Sequence, residues 1–161
     1  MKRAGFGMIE NDTFFLDDYR ETVREMLRTG LTKVIPNYDY RHASIILEEM
    51  IRATKDSFVA VTQQMSKEVW TEEILSLLCN RTQNKVNVRI LTVDVPPAHL
   101  SAELSSQVRQ LQTGIGTQPF KYNFAVSDGK AFRFENDIVK RTAIFCANDL
   151  GSSSRLLSVS K

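Results

Sequence analysis

The chain has 161 residues, of which 42% are hydrophobic and 25% are charged, and its formal net charge is +2. This composition excludes a disordered or fibrous chain, and the length predicts one domain that can bury enough surface for one good core. The sequence contains no run of about 18 apolar residues and no apolar block after its basic start, so we expect a cytoplasmic protein without a membrane span. A net charge of +2 is too small to predict nucleic-acid binding by itself.

Helical and strand-like segments alternate along most of the chain. Apolar residues that recur every three or four positions predict helices, and short apolar or β-branched runs predict strands. The predicted helices lie at 16–28, 41–54, 66–80 and 98–112, with a last helix after Asp149. The predicted strands lie at 31–35, 57–62, 86–93, 120–127, 131–134 and 142–147.

Turn and capping residues define several of these boundaries. Pro36 ends the first predicted strand, and Asp39 is placed to cap the second helix. Asp128-Gly129 is the strongest hairpin signal in the chain. The order of elements predicts an α/β fold with a mixed, mainly parallel sheet and helices on both faces. We expect one domain over residues 1–161, with an N-terminal helical extension over about 1–35.

The most specific motif lies on a predicted strand and the turn after it. Lys121 and Asn123 are separated by one residue, and Asp128 follows Asn123 after four residues. This pattern resembles the motif of the phospholipase D superfamily, which is His-x-Lys, four residues, then Asp. Lys121 takes the place of the His and Asn123 that of the Lys, while Glu135 and its neighbour stand where the family has Gly-Ser. The order of elements over about 36–160 also resembles one half of that fold.

The resemblance implies a scaffold for phosphodiester chemistry that has lost its nucleophile. In the family, a neutral imidazole attacks the phosphodiester and a second His protonates the leaving oxygen. Lys121 does not replace that nucleophile easily because its amine is protonated near neutral pH, whereas the Asn123 amide still donates hydrogen bonds. The resemblance therefore implies a catalytically inactive binding module with a vestigial phosphate site at Lys121, Asn123 and Asp128. Since the family uses two halves, it also implies a homodimer.

Basic residues on the predicted hairpin form a second candidate site. Lys130 and Arg133 alternate there with Lys121 and Asn123, and residues two apart share one face of a strand. One interpretation is a basic groove for a nucleic-acid backbone. The other is a charged sheet edge that prevents aggregation.

Aromatic and basic residues cluster before the second predicted helix, at Tyr38, Tyr40, Arg41 and His42. These side chains are suited to stacking on bases or to anchoring a protein partner, and simple packing within the loop explains them equally well.

Two other functions remain open at this point. A nuclease or phosphodiesterase with a rearranged site would use His42 or His99, and a pure protein-interaction module would use no nucleic acid. The two Cys and two His lack the spacing of a zinc site, and no phosphate-binding loop or dinucleotide fingerprint is present. We therefore expect no metal and no cofactor.

Overall fold

The computed structural model describes residues 5–111, 123–137 and 142–160. Within these ranges the helices are α1 (Gly5–Thr29), α2 (Tyr40–Ala53), α3 (Glu72–Gln83), α4 (Ala102–Ser105) and α5 (Leu150–Val159). The strands are β1 (Val34–Asn37), β2 (Ser57–Thr62), β3 (Asn87–Thr92), β4 (Val108–Gln110), β5 (Asn123–Ser127), β6 (Ala131–Asp137) and β7 (Thr142–Cys146).

The described strands form one seven-stranded sheet in the order β1-β7-β6-β5-β2-β3-β4. The α/β class is confirmed, but the prediction of a mainly parallel sheet is wrong. Only the β2–β3 and β3–β4 pairs are parallel, and the other four pairs are antiparallel. The reason is that helical crossovers join the early strands only, whereas β5, β6 and β7 follow one another through short connections.

Helices cover both faces of the sheet, as predicted, because successive side chains of a strand point to opposite faces. The larger core packs between the sheet and α1, α2 and α3, and includes Phe58, Ile90 and Phe145. The smaller core packs between the sheet and α5, and includes Val126, Phe132 and the half-buried Leu156.

Aspartates begin two helices where the sequence predicts them. The Asp39 carboxylate accepts hydrogen bonds from the backbone N–H groups of Arg41 and His42, which have no partner inside the first turn of α2. Asp149 caps α5 in the same way through the N–H of Ser152. The predicted hairpin at Asp128-Gly129 joins β5 to β6, with both residues at positive φ.

Several predicted boundaries are wrong, and α1 begins at Gly5 instead of at residue 16. Pro36 lies within β1 instead of ending it, because β1 is an edge strand and a missing N–H there costs little. The helix predicted from Ser66 begins only after Thr71, whose hydroxyl accepts from the N–H of Ile74. The helix predicted at 98–112 is the single turn of α4 followed by β4, because Val108 and its neighbours pair with β3.

Candidate functional site

Strand β5 separates the two motif residues that the structure describes. Asn123 begins the strand and Asp128 follows its last residue, so the two lie about 16 Å apart along an extended backbone. Lys121 lies outside the described residues. Asn123 and Asp128 therefore belong to opposite ends of the sheet and have different surroundings.

The Asp128 carboxylate holds the turn between α2 and β2. It accepts hydrogen bonds from the backbone N–H groups of Lys55, Asp56 and Ser57 at 2.9, 2.7 and 3.0 Å. Three backbone donors aimed at one carboxylate leave it little capacity to contact a ligand. Asp128 is thus a structural hydrogen-bond acceptor. The spacing between Asn123 and Asp128 is the length of β5, whose end lies beside the start of β2.

At the other end of β5, Asn123 belongs to a buried polar network. Its amide nitrogen donates to the Glu135 carboxylate at 3.0 Å, and its oxygen accepts from the backbone N–H of Gln63 at 2.7 Å. The Arg133 guanidinium donates to the side-chain oxygen of Asn37 at 2.8 Å and lies 3.4 Å from the same oxygen of Glu135. The ends of β1, β2, β5 and β6 meet here.

Arg133 is buried and does not line the exposed groove that the sequence suggested. Arg133 is only 5% exposed and Glu135 only 3%, so this ion pair is sealed between the sheet and the helices. Lys130, three residues earlier, is exposed at the far end of β6. The prediction that Lys130 and Arg133 line one basic groove is therefore wrong, because the two residues lie in opposite environments.

His42 packs within the aromatic cluster next to this network. Its ring centroid lies 4.3 Å from that of Tyr19 and 5.9 Å from that of Tyr38, and its Nδ1 lies 3.3 Å from the Asp39 carboxylate. Burial alone would raise the pKa of Asp39, but hydrogen bonds from Arg41 and from the backbone of His42 outweigh it and lower that pKa. His99 lines a separate cavity beside Cys79 and Leu104, so the structure does not bring the two histidines together.

Tyr38 and Tyr40 are the exposed part of the aromatic cluster, at 64% and 50%. Tyr40 and Arg41 line a shallow groove of about 330 Å³ between α1 and α2, together with Leu16 and Ile45. Two exposed tyrosines beside an apolar groove match the composition of protein-binding surfaces.

A cleft with a volume of about 510 Å³ lies at the Asp128 end of the sheet. We call it the basic cleft. Its charged lining residues come from α1, from the end of α2 and from the two adjoining turns: Arg24, Arg28, Glu49, Arg52, Lys55, Asp128 and Lys130. Five of these seven side chains are cationic and two are carboxylates.

Most of the charges in the basic cleft already have internal partners. The Glu49 carboxylate accepts from Arg20 at 2.9 Å and from Arg24 at 3.0 and 3.1 Å. Burial would raise the pKa of Glu49, but these hydrogen bonds outweigh it and lower that pKa. Arg28 pairs with a carboxylate of its own helix, and Arg52 pairs with carboxylates of α2 and α3.

Lys55 and Lys130 differ from the paired charges of the basic cleft. Both side chains are exposed at the rim of the basic cleft, and neither has an ion-pair partner within the described part of the chain. These two ammonium groups are therefore the cations available to an anionic ligand.

The sequence predicted Lys130 as a binding residue but not Lys55, Arg24 or Arg28. Arg24 and Arg28 are four residues apart on α1 and so share a helix face, which is a signal that the sequence does contain. Nothing local links them to Lys55, since only the packing of α1 on α2 brings the three together.

In the described ranges, no group of three or more His, Cys, Asp or Glu side chains is placed to hold a metal ion. None of the helices described there combines the length and the apolar composition needed to cross a membrane.

Comparison with known proteins identifies a relative by fold alone. No protein-family model matches the sequence, and no curated protein matches it. Among solved structures, the chain is similar to TrmBL2, an archaeal chromatin protein whose structure shows a novel mode of DNA binding. The TM-score is 0.61 with 11% identity, and the match covers 95% of this chain and 61% of the TrmBL2 chain. The shared property is the fold.

Proposed function

We propose that this chain is a catalytically inactive, phospholipase D-like module that binds the phosphate backbone of nucleic acid through the basic cleft. The proposal rests on one observation: Lys55 and Lys130 have no ion-pair partner among the described residues, and they lie at the rim of a cleft whose two lining carboxylates already accept internal hydrogen bonds. A phosphate in this cleft would gain two cations without displacing either carboxylate.

The structural similarity to TrmBL2 gives independent support to the same proposal. TrmBL2 is described as a DNA-binding chromatin protein, and this chain has its fold over 95% of its own length. Because the identity is 11%, no residue role is transferred from that protein. The assignment of the cleft depends only on the charges described above.

Two features support a binding function without catalysis. Lys121 stands where the phospholipase D motif has its nucleophilic His. Asn123, at the position of the motif lysine, donates its amide to Glu135, and Asp128 accepts three backbone N–H groups. The two described motif residues thus serve the fold.

The test is a binding titration with a labelled oligonucleotide, single-stranded and double-stranded, over a range of salt concentrations. The variant Lys55→Gln/Lys130→Gln removes the two cations at the rim of the basic cleft. The matched control is Lys33→Gln/Lys67→Gln, which removes the same charge at two exposed positions outside the cleft. Both variants keep the long side chain, and neither changes a residue of the core.

We expect the cleft variant to bind duplex DNA more weakly and with a smaller salt dependence. Losing two phosphate contacts reduces the magnitude of the slope of log K against log salt by about 1.8, which is a roughly 60-fold loss of affinity near 0.1 M salt. The control should bind like the wild type. Equal weakening of both variants would show a nonspecific charge effect and would refute the cleft assignment.

The same oligonucleotides test the enzymatic alternative. Incubation of the wild type with labelled DNA and RNA, with and without EDTA, is expected to give no cleavage. Turnover that disappears in His42→Ala would overturn the inactive assignment and favour a rearranged histidine site.

A second candidate function is binding of a protein partner at the groove beside Tyr40. The exposure of Tyr38 and Tyr40 favours it, since buried aromatic anchors dominate many interfaces. Homodimerisation stays a prediction, and sedimentation of the wild type and of Tyr40→Ser tests whether this groove is the contact. A monomer at all concentrations would eliminate the homodimer.

A further inference from the structure

We propose that a second groove, on strands β3 and β4, binds a small phosphate monoester that carries an apolar group. The groove has a volume of about 460 Å³ and reaches from β2 to the end of α5. We call it the β3–β4 groove. Its described lining residues all differ from those of the basic cleft, so this proposal does not depend on the function of Lys55 and Lys130.

The pairing of the strands determines what lies on the floor of the groove. On β3, Arg89 and Leu91 lie on the same face of the sheet, because residues two apart share a face. Leu91 is in register with Val61 of β2 on one side and with Arg109 of β4 on the other. An apolar row therefore runs from β2 to β3 and ends in a cation on β4.

Two arginines occupy neighbouring positions on this face. Arg109 is beside Leu91, and Arg89 precedes Leu91 by two residues, so the two cations are diagonal neighbours on adjacent strands. Like charges this close on one sheet face repel. Among the described lining residues there is no Asp or Glu, and neither arginine has an ion-pair partner in the described part of the chain. An anion in contact with both would replace the repulsion by charge-assisted hydrogen bonds.

The Arg89 guanidinium is held in place from the side of α5. It donates to the Ser160 hydroxyl at 2.8 Å, and that hydroxyl donates to the carbonyl oxygen of Leu157. A neutral partner thus orients this cation without cancelling its charge, and a guanidinium has five N–H donors, of which this contact uses one. Arg109 is exposed at the other side of the groove. Both arginines therefore have donors available for the oxygens of a phosphate.

The apolar lining determines the rest of the ligand. Val61 and Leu91 lie on the floor, and Leu111 and Val159 line the sides. Val159 is 55% exposed although it is apolar, so covering it would remove apolar surface from water. The volume of about 460 Å³ is that of a small-molecule site. Two cations beside an apolar floor fit a dianionic phosphate monoester with a short alkyl or aryl group.

The experiment is a calorimetric titration of octyl phosphate, kept below its critical micelle concentration, into the wild type. Inorganic phosphate lacks the apolar group and octanol lacks the anion, so these two ligands separate the contributions. The variant Arg89→Gln/Arg109→Gln removes both cations, and Val159→Ser removes an exposed apolar side chain. The matched control is Lys55→Gln/Lys130→Gln, which removes the same charge from the basic cleft.

We expect the wild type to bind octyl phosphate at least about tenfold more tightly than inorganic phosphate or octanol. Arg89→Gln/Arg109→Gln should weaken this binding about tenfold or more, and Val159→Ser about two- to fivefold. The Lys55→Gln/Lys130→Gln control should bind octyl phosphate like the wild type. Arg109→Gln alone changes one exposed side chain and should weaken binding at least about threefold, which keeps the test valid if the double variant does not fold.

Three results would overturn the proposal. The first is no binding of octyl phosphate by the wild type, or equal binding of octyl phosphate and octanol. The second is unchanged binding in the folded arginine variants. The third is weaker binding in Lys55→Gln/Lys130→Gln alone, which would assign the anion to the basic cleft.

Oligonucleotide binding separates this proposal from the function of the basic cleft. Arg89→Gln/Arg109→Gln should bind the labelled oligonucleotides like the wild type. If this variant loses them while Lys55→Gln/Lys130→Gln retains them, the β3–β4 groove holds a nucleic-acid backbone, and both proposals are overturned. If octyl phosphate binds as expected and no variant binds oligonucleotides, the groove assignment stands and only the function of the basic cleft fails.

Discussion

Substitution of Asp128 distinguishes a structural role from a ligand-binding role. The expected loss of stability can be worked out from the hydrogen bonds of its carboxylate. The carboxylate accepts three backbone N–H groups, from Lys55, Asp56 and Ser57. Hydrogen bonds to a charged acceptor contribute about 1.5–3 kcal/mol each when buried, but two of these three are open to solvent. Water would replace those two in part, so we expect a loss of about 2–3 kcal/mol.

The backbone adds a second contribution in Asp128→Ala. The φ of Asp128 is 51°, in the left-handed region that Asp and Asn tolerate and that Ala disfavours by about 1 kcal/mol. The total for Asp128→Ala is then about 3–4 kcal/mol, or roughly 6–15 °C in the unfolding midpoint. Asp128→Gly removes the carboxylate without the strain and should be less destabilising than Asp128→Ala. Asp128→Asn keeps one acceptor oxygen and should be the mildest of the three.

Urea unfolding followed by Trp70 fluorescence gives the free energies, and an unchanged slope with urea shows that the same transition is compared. Oligonucleotide binding is measured on Asp128→Asn, which removes a negative charge from the basic cleft. Its affinity should equal or exceed that of the wild type. Losses below 1 kcal/mol for both Asp128→Ala and Asp128→Gly, or weaker binding by a folded Asp128→Asn, would refute the structural role.

Three further substitutions test other parts of the fold. The pKa of Glu49 is lower in the folded chain than in the unfolded one, so its stabilisation is present above about pH 4.5 and is lost as the pH falls through the folded value. At about neutral pH, Glu49→Gln should lower the free energy of unfolding by about 1–2 kcal/mol, a modest amount because Arg24 is half exposed. The variant should also flatten this acid dependence in urea unfolding. Gly129→Ala should lower the unfolding midpoint by about 2–4 °C from backbone strain alone, since an added Cβ meets no atom within 4 Å; an unchanged midpoint would contradict the positive φ. Thr54→Val removes a buried hydroxyl that lies 2.9 Å from that of Ser127 and should cost about 1–2 kcal/mol by chemical denaturation, whereas a neutral effect would mean that water replaces the contact.

Local signals predicted the elements whose stability is local. Strand β2 has the predicted bounds, Ser57–Thr62, because its apolar, β-branched run is buried on both faces. Asp39 caps α2 through contacts within three residues, and Asp128-Gly129 forms the hairpin turn through its positive φ angles, although the Asp128 carboxylate itself contacts residues 71 to 73 positions away. These features required no knowledge of the topology.

Elements that depend on distant contacts were not predictable in this way. β4 is a strand because Val108 pairs with Ile90 of β3, although its apolar spacing is helical. The parallel arrangement was overestimated because alternation of helices and strands says nothing about β1, which joins the sheet beside β7. Likewise, the hydrogen bond between Arg133 and Asn37 joins residues 96 positions apart.

The candidate site residues also show that distant contacts decide which charges are exposed. Arg133 and Lys130 are equivalent in sequence as basic residues on a hairpin, yet one is neutralised inside the fold and the other is exposed. Their difference comes from Glu135, which faces Arg133 from the same strand and the same side of the sheet. Among the residues that the structure describes, Lys130 has no such neighbour, because Asp128 is engaged by the turn before β2. A basic residue on this hairpin is therefore available to a ligand only where the nearest carboxylate is already held by the fold.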